Sequence, residues 1–279
     1  MRIISIPQLI KKANEHRFTL YDITVKTGGS YLAQALSCID LLTAIFYRYL
    51  RFKPDDPEWD KRDRFLLSPG HYALSLYVIL ADLKYFPKKM LYDFKKNGSN
   101  VTLITHRKSL PGIEVSGGSL GQVLSIGVGM AISAKLRKKK HRIFVFMGDG
   151  EQSSGQVWEA AMSASHYNLN NLIAIIDANK FQVDGKTKDV MNSEPLGKKY
   201  ESFNWNVFET DGNNMEEIVK SFDKVFSIIN KTNKPSVVIG HTIRGKGIKF
   251  MEGNPNYHYT RFDNKTSKEA LRELKNYIM

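Results

Sequence analysis

Asp149 and Asn179 have the residue types and spacing of a cation site. Asp149 lies in the turn Gly148-Asp149-Gly150, and Asn179 follows thirty residues later. Each comes just after an apolar run, IFVFM at 143–147 and LIAIID at 172–177. A tight turn alone would explain the glycines, but not an amide side chain at the matching place after the next run. A carboxylate and several backbone N–H groups beside a helix N-terminus suit a hard cation bridged to diphosphate oxygens. Magnesium takes near-octahedral oxygen coordination and combines few protein ligands with phosphate oxygens and water. One carboxylate oxygen, one amide oxygen and a nearby backbone carbonyl would supply half an octahedron. Competing phosphate motifs fail: there is no GxxxxGK[ST], and Ser153 stands where a dinucleotide fingerprint needs glycine.

Another pattern, Gly117-Gly118-Ser119-Leu120-Gly121, fits the G-x-S-x-G of a serine hydrolase. A nucleophile elbow needs a strand directly before its serine and a helix after it. Pro111 and Gly112 leave only a short run for that strand, which argues against the hydrolase.

Positioning Asp149 and Asn179 requires strands that end beside each other. Strands are predicted at 64–67, 143–147, 172–177, 206–209 and 236–240. Helices are predicted over 1–17, with Ile4, Leu9 and Ile10 on the apolar side, over 31–49, and over about 215–229. Apolar strands separated by helices indicate parallel pairing, because crossover helices cover both faces of the sheet. The expected fold class is therefore α/β, a mostly parallel central sheet with helices on both faces, as one domain over 1–279. Ligands of such sheets bind beyond the carboxyl ends of the strands, where both side chains can converge.

Bulk properties fit this frame. Of 279 residues, 42% are hydrophobic and 25% charged, which allows a packed core. No apolar run reaches the length of a membrane span, and the start turns charged too soon for a secretory signal. The single cysteine, Cys38, excludes an internal disulfide framework, and cytoplasm is the expected location. The net charge of +13 suits a lysine-rich solvated surface, a nucleic-acid footprint or a basic mouth for phosphorylated small molecules. The densest basic run, KLRKKKHR at 135–142, has no interleaved aromatics, so neither nucleic acid nor membrane is the expected partner.

Four segments in order, LLSPGHYALSLY, PGIEVSGGSLGQVLSIGVGMAISA, the GDG–Asn stretch and HTIRGKGIKFMEGNP, resemble the N-terminal half of transketolases. These are thiamine diphosphate enzymes that move two-carbon ketol units between sugars. The resemblance implies the thiamine-diphosphate-binding fold, with Mg2+ (or Ca2+ or Mn2+) on Asp149, Asn179 and the Phe181 carbonyl. It implies that the Gly150 N–H meets the diphosphate and that His71 reaches the cofactor and the substrate's reacting end. Gly118, Ser119 and Leu120 fall where the family wraps backbone around the thiamine rings. His258 matches a histidine near the diphosphate, although Tyr259 follows it where the family has glycine. Glu159 matches an acid of the subunit interface, or is a solvated helix charge. SPGH and HTIRGKG favour transketolase over the related thiamine-binding subunit of a 2-oxoacid dehydrogenase or decarboxylase.

Departures from the pattern fall on the substrate side. Tyr31 stands where the family has a sugar-contacting histidine, and is read as substrate wall or as a core aromatic. A second substrate histidine is replaced by Ile104; His106, two residues on, is the candidate substitute. Ser154 replaces an acid of the GDG loop. The glutamate that activates thiamine lies on the family's other half, and no segment here matches it. The expectation is therefore the N-terminal subunit of a split transketolase that works on sugars or sugar phosphates. It would need a C-terminal subunit to supply the glutamate, in an α2β2 heterotetramer, the chain alone being a possible homodimer.

Overall fold

A computed structural model describes residues 4–278. Its centre is a five-stranded sheet of β1 (Arg64–Leu67), β2 (Ile143–Gly148), β3 (Leu172–Ala178), β4 (Asn206–Asp211) and β5 (Ser236–His241). The spatial order is β1-β2-β3-β5-β4, and every pairing is parallel. The central strands read as unbroken apolar runs because both faces are covered. Phe144, Phe146, Ile173, Ile175 and Val238 face one core, while Ile143, Val145, Met147, Leu172, Ala174, Ile176, Val237 and Ile239 face the other. The first core is filled by α1 (Ile6–Lys26), α2 (Leu32–Ala44), α3 (Ala73–Asp82), α8 (Met215–Ile228) and α9 (Asn264–Ile278). The second takes α4 (Val123–Leu136), α5 (Gly155–His166) and α7 (Leu196–Ser202); a short α6 (Thr187–Val190) lies in the loop after β3. Helices on both faces are as expected.

The strands fall at the predicted places, with β2 to β5 each ending one or two residues later. The first helix differs more. It starts at Ile6, behind a Ser5/Gln8 capping box with Pro7 in its first turn, and runs on to Lys26 instead of stopping at Arg17. Residues 1–3 of the predicted helix lie outside the described residues. Arg17, where the predicted helix stopped, is buried against Asp40, and Leu20 and Ile23 continue the buried stripe. Ile10, assigned to the apolar side, is exposed. The helix predicted over 31–49 is α2 followed by a single wider π-type turn at Ile45–Tyr49. Every residue of α2 is buried, so the site rests on a helix with no solvent face.

Four loops meet at the carboxyl ends of the strands. They carry Ser68 to His71 after β1, Asp149 after β2, Asn179 after β3 and Thr242 to Arg244 after β5. Among the described residues no strand leads directly into Ser119: Gly117–Gly121 is a loop leading into α4, so the nucleophile elbow is absent. Among the described residues no helix is long and apolar enough to cross a membrane.

Candidate active site

A buried carboxylate that the sequence pattern does not single out organises the floor. Asp177, on β3 and wholly buried, accepts hydrogen bonds from Ser37 at 2.8 Å, Tyr72 at 2.5 Å and Asn179 Nδ2 at 2.9 Å, and from Thr242. Because Nδ2 of Asn179 serves Asp177 and Tyr72, its Oδ1 must turn the other way. That oxygen accepts one bond, from the Phe181 N–H at 3.0 Å, and keeps a second lone pair. Lys180, at φ +66°, redirects the chain so that its N–H reaches Asp149 Oδ2 at 2.5 Å. Asp149, Asn179 and Phe181 thus converge on one cleft. Burial, with the nearby Asp177, pushes the Asp149 carboxyl up to about 8. The GDG turn is followed by a single 3₁₀ turn, Gly150–Ser153, and α5 begins only at Gly155. The N–H groups beside Asp149 therefore belong to that turn, not to the helix N-terminus expected from sequence.

Across the cleft stand His71, His258 and Arg244. The two imidazoles are 5.9 Å apart, and burial, then His258 and Arg244, bring His71 down to about 3. His71 is therefore neutral throughout the physiological range. Gln34 Nε2 and Arg244 Nη2 approach His258 Nδ1 at 2.9 and 3.1 Å. Arginine only donates, so Nδ1 is the acceptor and the proton of neutral His258 sits on Nε2. Tyr31 packs edge-on to both histidines, at 5.8 and 5.4 Å, and is half-buried, behind two cleft-lining rings rather than inside the core.

The remaining candidates divide. Leu120 lines the cleft and is exposed; Gly118 and Ser119 sit on the adjoining loop and do not line it. Gly118, at φ +100°, donates its N–H to Ser68 O at 2.9 Å, and a Cβ there would lie 2.9 Å from Ile104 Cγ2. Ile104 therefore covers the loop at the position where a histidine was expected. His106 is exposed and is not brought into the cleft. Glu159 is exposed on α5. The loops are joined by Glu151, another residue the sequence left unmarked: it accepts from Ser68 and Gly121 N at 2.5 and 2.8 Å and from Gly148 N at 2.9 Å. Its position two after Asp149 in GDGE was the only available signal.

The donor set fits thiamine diphosphate with a divalent cation. Among the described residues Asp149, 5% exposed, makes no ion pair, and Arg244, 1% exposed, has its Nε unpartnered, reaches the Gln182 carbonyl and His258, and lies over the Phe181 ring at 5.5 Å. Buried charges are normally compensated. A ligand that brings both a cation and an anion to one cleft answers both residues at once, and an all-oxygen donor set suits Mg2+. Arg244 sits in HTIRGKG, but nothing in its spacing marked it as buried.

The family model for the transketolase thiamine diphosphate binding domain matches residues 10–275. One chain of the apulose-4-phosphate transketolase of Phocaeicola vulgatus is 38% identical over 272 residues, 97% of this chain and 95% of that protein. The 6-deoxy-6-sulfo-D-fructose transketolase subunit of Clostridium sp. is 36% identical over 258 residues, 92% of each chain. The crystal structure of Campylobacter jejuni transketolase superposes with a TM-score of 0.89 at 27% identity, covering 98% of this chain but 43% of that one. This chain thus spans under half the length of that solved transketolase and nearly all of the subunits. The match to the transketolase model favours transketolase over the 2-oxoacid dehydrogenase reading. The chain belongs to the transketolase thiamine diphosphate-binding domain family.

Proposed function

We propose that this chain is the diphosphate-binding subunit of a two-component transketolase, transferring a two-carbon ketol unit between anionic sugars. The observation that carries the reading is the pair of buried ionisable side chains, Asp149 and Arg244, that share one cleft at the carboxyl ends of the strands without a salt bridge among the described residues. Asp149, Asn179 and the Phe181 carbonyl would hold Mg2+, or Ca2+ or Mn2+ in its place. Gly150 and Arg244 would face the diphosphate. Bound thiamine diphosphate supplies the carbon nucleophile that accepts and hands on the ketol unit. The protein's part is to hold protons and exclude water. His258 presents Nε2–H, fixed by Gln34 and Arg244. Neutral His71 offers one donor and one acceptor nitrogen and adds no charge beside the reacting carbon.

Sugar phosphates or sulfo-sugars are the proposed substrates, in line with the names of the subunits it resembles and with the net charge of +13. The activating glutamate would come from a complementary chain. Exposed apolar side chains support that partner: Leu120 before α4, Ile126 on α4 and Met162 on α5 are exposed, as is Glu159 on α5. An α2β2 assembly in the cytoplasm is the proposed form, and the lone, buried, free Cys38 accords with that location.

The test is to mix the chain with the product of a neighbouring reading frame carrying pyrimidine-binding and C-terminal transketolase regions. Magnesium-dependent thiamine diphosphate binding and ketol transfer should both require the mixture. Full transferase activity from this chain alone would overturn the two-component reading, and no transfer by any mixture would overturn transketolase.

A further inference from the structure

Two departures from the transketolase pattern meet in the folded chain. Tyr31 stands where the family has histidine, and Tyr259 stands where glycine follows the histidine at 258. Their rings meet edge to face, 5.1 Å between centroids at 89°. Both are half-buried, and Tyr31 packs against His71 and His258, which line the cleft.

The surroundings of Tyr259 hold its ring from several sides. Lys95 Nζ donates to the Tyr259 hydroxyl and to the Gly29 carbonyl, each at 2.7 Å. Ser30 and Thr260 exchange backbone hydrogen bonds of 3.1 and 2.8 Å. Gly29, at φ +121°, lies against the ring: a Cβ there would stand 2.9 Å from Tyr259 Cε1 and 2.8 Å from the Thr260 carbonyl. A residue with a side chain at position 29 would displace the ring or the strand bridge beside it. Tyr31, by contrast, makes only ring contacts, with His71, His258 and Tyr259, and its hydroxyl has no hydrogen-bond partner among the described residues.

We propose that Tyr31 and Tyr259 act as one wall that selects the sugar by shape beside the reacting carbon, with Lys95 and Gly29 fixing the position of the wall. The proposal rests on the transketolase reading. Edge contact with His71, the histidine assigned to the substrate's reacting end, sets Tyr31 beside the reacting carbons rather than at the distant phosphate. A phenol in place of an imidazole, backed by a second phenol in place of a hydrogen, removes space and leaves one hydroxyl to meet a sugar hydroxyl. The wall favours an anionic ketose more compact next to the reacting carbon than a straight-chain pentulose 5-phosphate. One extra or missing group in such a pocket is worth about 10–200-fold in discrimination.

The experiment uses the reconstituted two-chain complex carrying wild type, Tyr31→His, Tyr259→Gly or both. For each, kcat/KM is measured on a panel of ketose phosphates and sulfo-ketoses. Calorimetry follows binding of arabitol 5-phosphate, which has no carbonyl and cannot donate. The double variant should raise kcat/KM for xylulose 5-phosphate at least about tenfold relative to the best wild-type substrate. Each single change should recover much less, because either remaining ring still fills the space, and arabitol 5-phosphate should bind tighter in the same order. Tyr31→Phe should keep the shape preference, and Lys95→Met should relax it from outside the cleft. Single effects that simply multiply, or a substrate ratio unmoved in the double variant, would overturn the wall. Wild-type complex with no ketol transfer on any member of the panel would overturn the functional reading instead.

Discussion

Asp149→Asn should make the protein more stable and bind its cofactor worse. The carboxyl is 5% exposed, and burial with the neighbouring Asp177 pushes it up to about 8. In the unfolded chain it would titrate near 3.9. Between those values the folded state holds a proton that the unfolded state has released. The stabilising contribution is therefore full below about pH 4 and is lost as pH rises through about 8. At pH 7, roughly three units above the unfolded value, the loss is on the order of 4 kcal/mol, at about 1.4 kcal/mol per unit. Asparagine has the same shape, its amide oxygen can keep the bond from the Lys180 N–H, and it never ionises. Without cofactor, the variant should melt higher than wild type at pH 7, by several degrees at roughly 2 °C per kcal/mol. The gap should close towards pH 4. In the two-chain complex, loss of one charged ligand contact worth about 1.5–3 kcal/mol should weaken magnesium–thiamine diphosphate binding by roughly 10–150-fold. Scanning fluorimetry across pH and titration calorimetry give the two halves. A variant that melts lower at pH 7 and binds cofactor as wild type would refute both the buried-charge argument and the metal assignment.

Three other perturbations follow from the same site. Arg244→Met removes a buried cation that meets no carboxylate, so cofactor affinity should fall at least about tenfold while stability without cofactor holds or rises; a large drop in melting temperature would show that Arg244 is structural. His71, held at about 3, should show no NMR titration between pH 5 and 9, and because its folded value lies below the unfolded one it contributes stability that is lost as pH falls from about 6.5 to 3; a midpoint near 6.5 would refute the buried, neutral assignment. Glu151→Gln puts an amide N–H against the Ser68, Gly121 and Gly148 donors and should destabilise by about 1–3 kcal/mol, read in urea, with an unchanged midpoint showing that the three loops hold without it.

The sheet was legible because its central strands are apolar on both faces and are separated by helices, the pattern of parallel α/β sheets. Boundaries failed where burial hid polar residues. The predicted first helix stopped at Arg17, and only the folded chain reveals the buried partners of Arg17 and His16, Asp40 and Thr43. The site shows the same division. Asp149 and Asn179 announced themselves through spacing after two strands. Asp177 and Glu151 did not, because a carboxylate inside an apolar run or two residues past a turn looks like any other until its donors are known. Those donors come from Ser37, Ser68, Tyr72, Gly121 and Thr242, scattered along the chain. Tyr31 could be read as wall or core, and its three ring neighbours, none near it in sequence, include two histidines that line the cleft.

The Asp177 hub separates what this protein can change from what it cannot. Its donors come from α2, the turn before α3 and the loops after β3 and β5, so the floor that shapes Asn179 is continuous with the folding core. A substitution that spoils the floor spoils the fold as well and is removed whatever the sugar. Tyr31, Ile104 and Tyr259 stand on the rim and answer to no such hub. If the proposed wall sets the sugar, mutational drift at Tyr31 and Tyr259 would exchange one sugar for another while the proposed half-site for diphosphate and metal stays intact. Subunits built on this plan are suited to diversify by rim residues alone, and a search for their substrates should sort chains by positions 31, 104 and 259 rather than by overall identity.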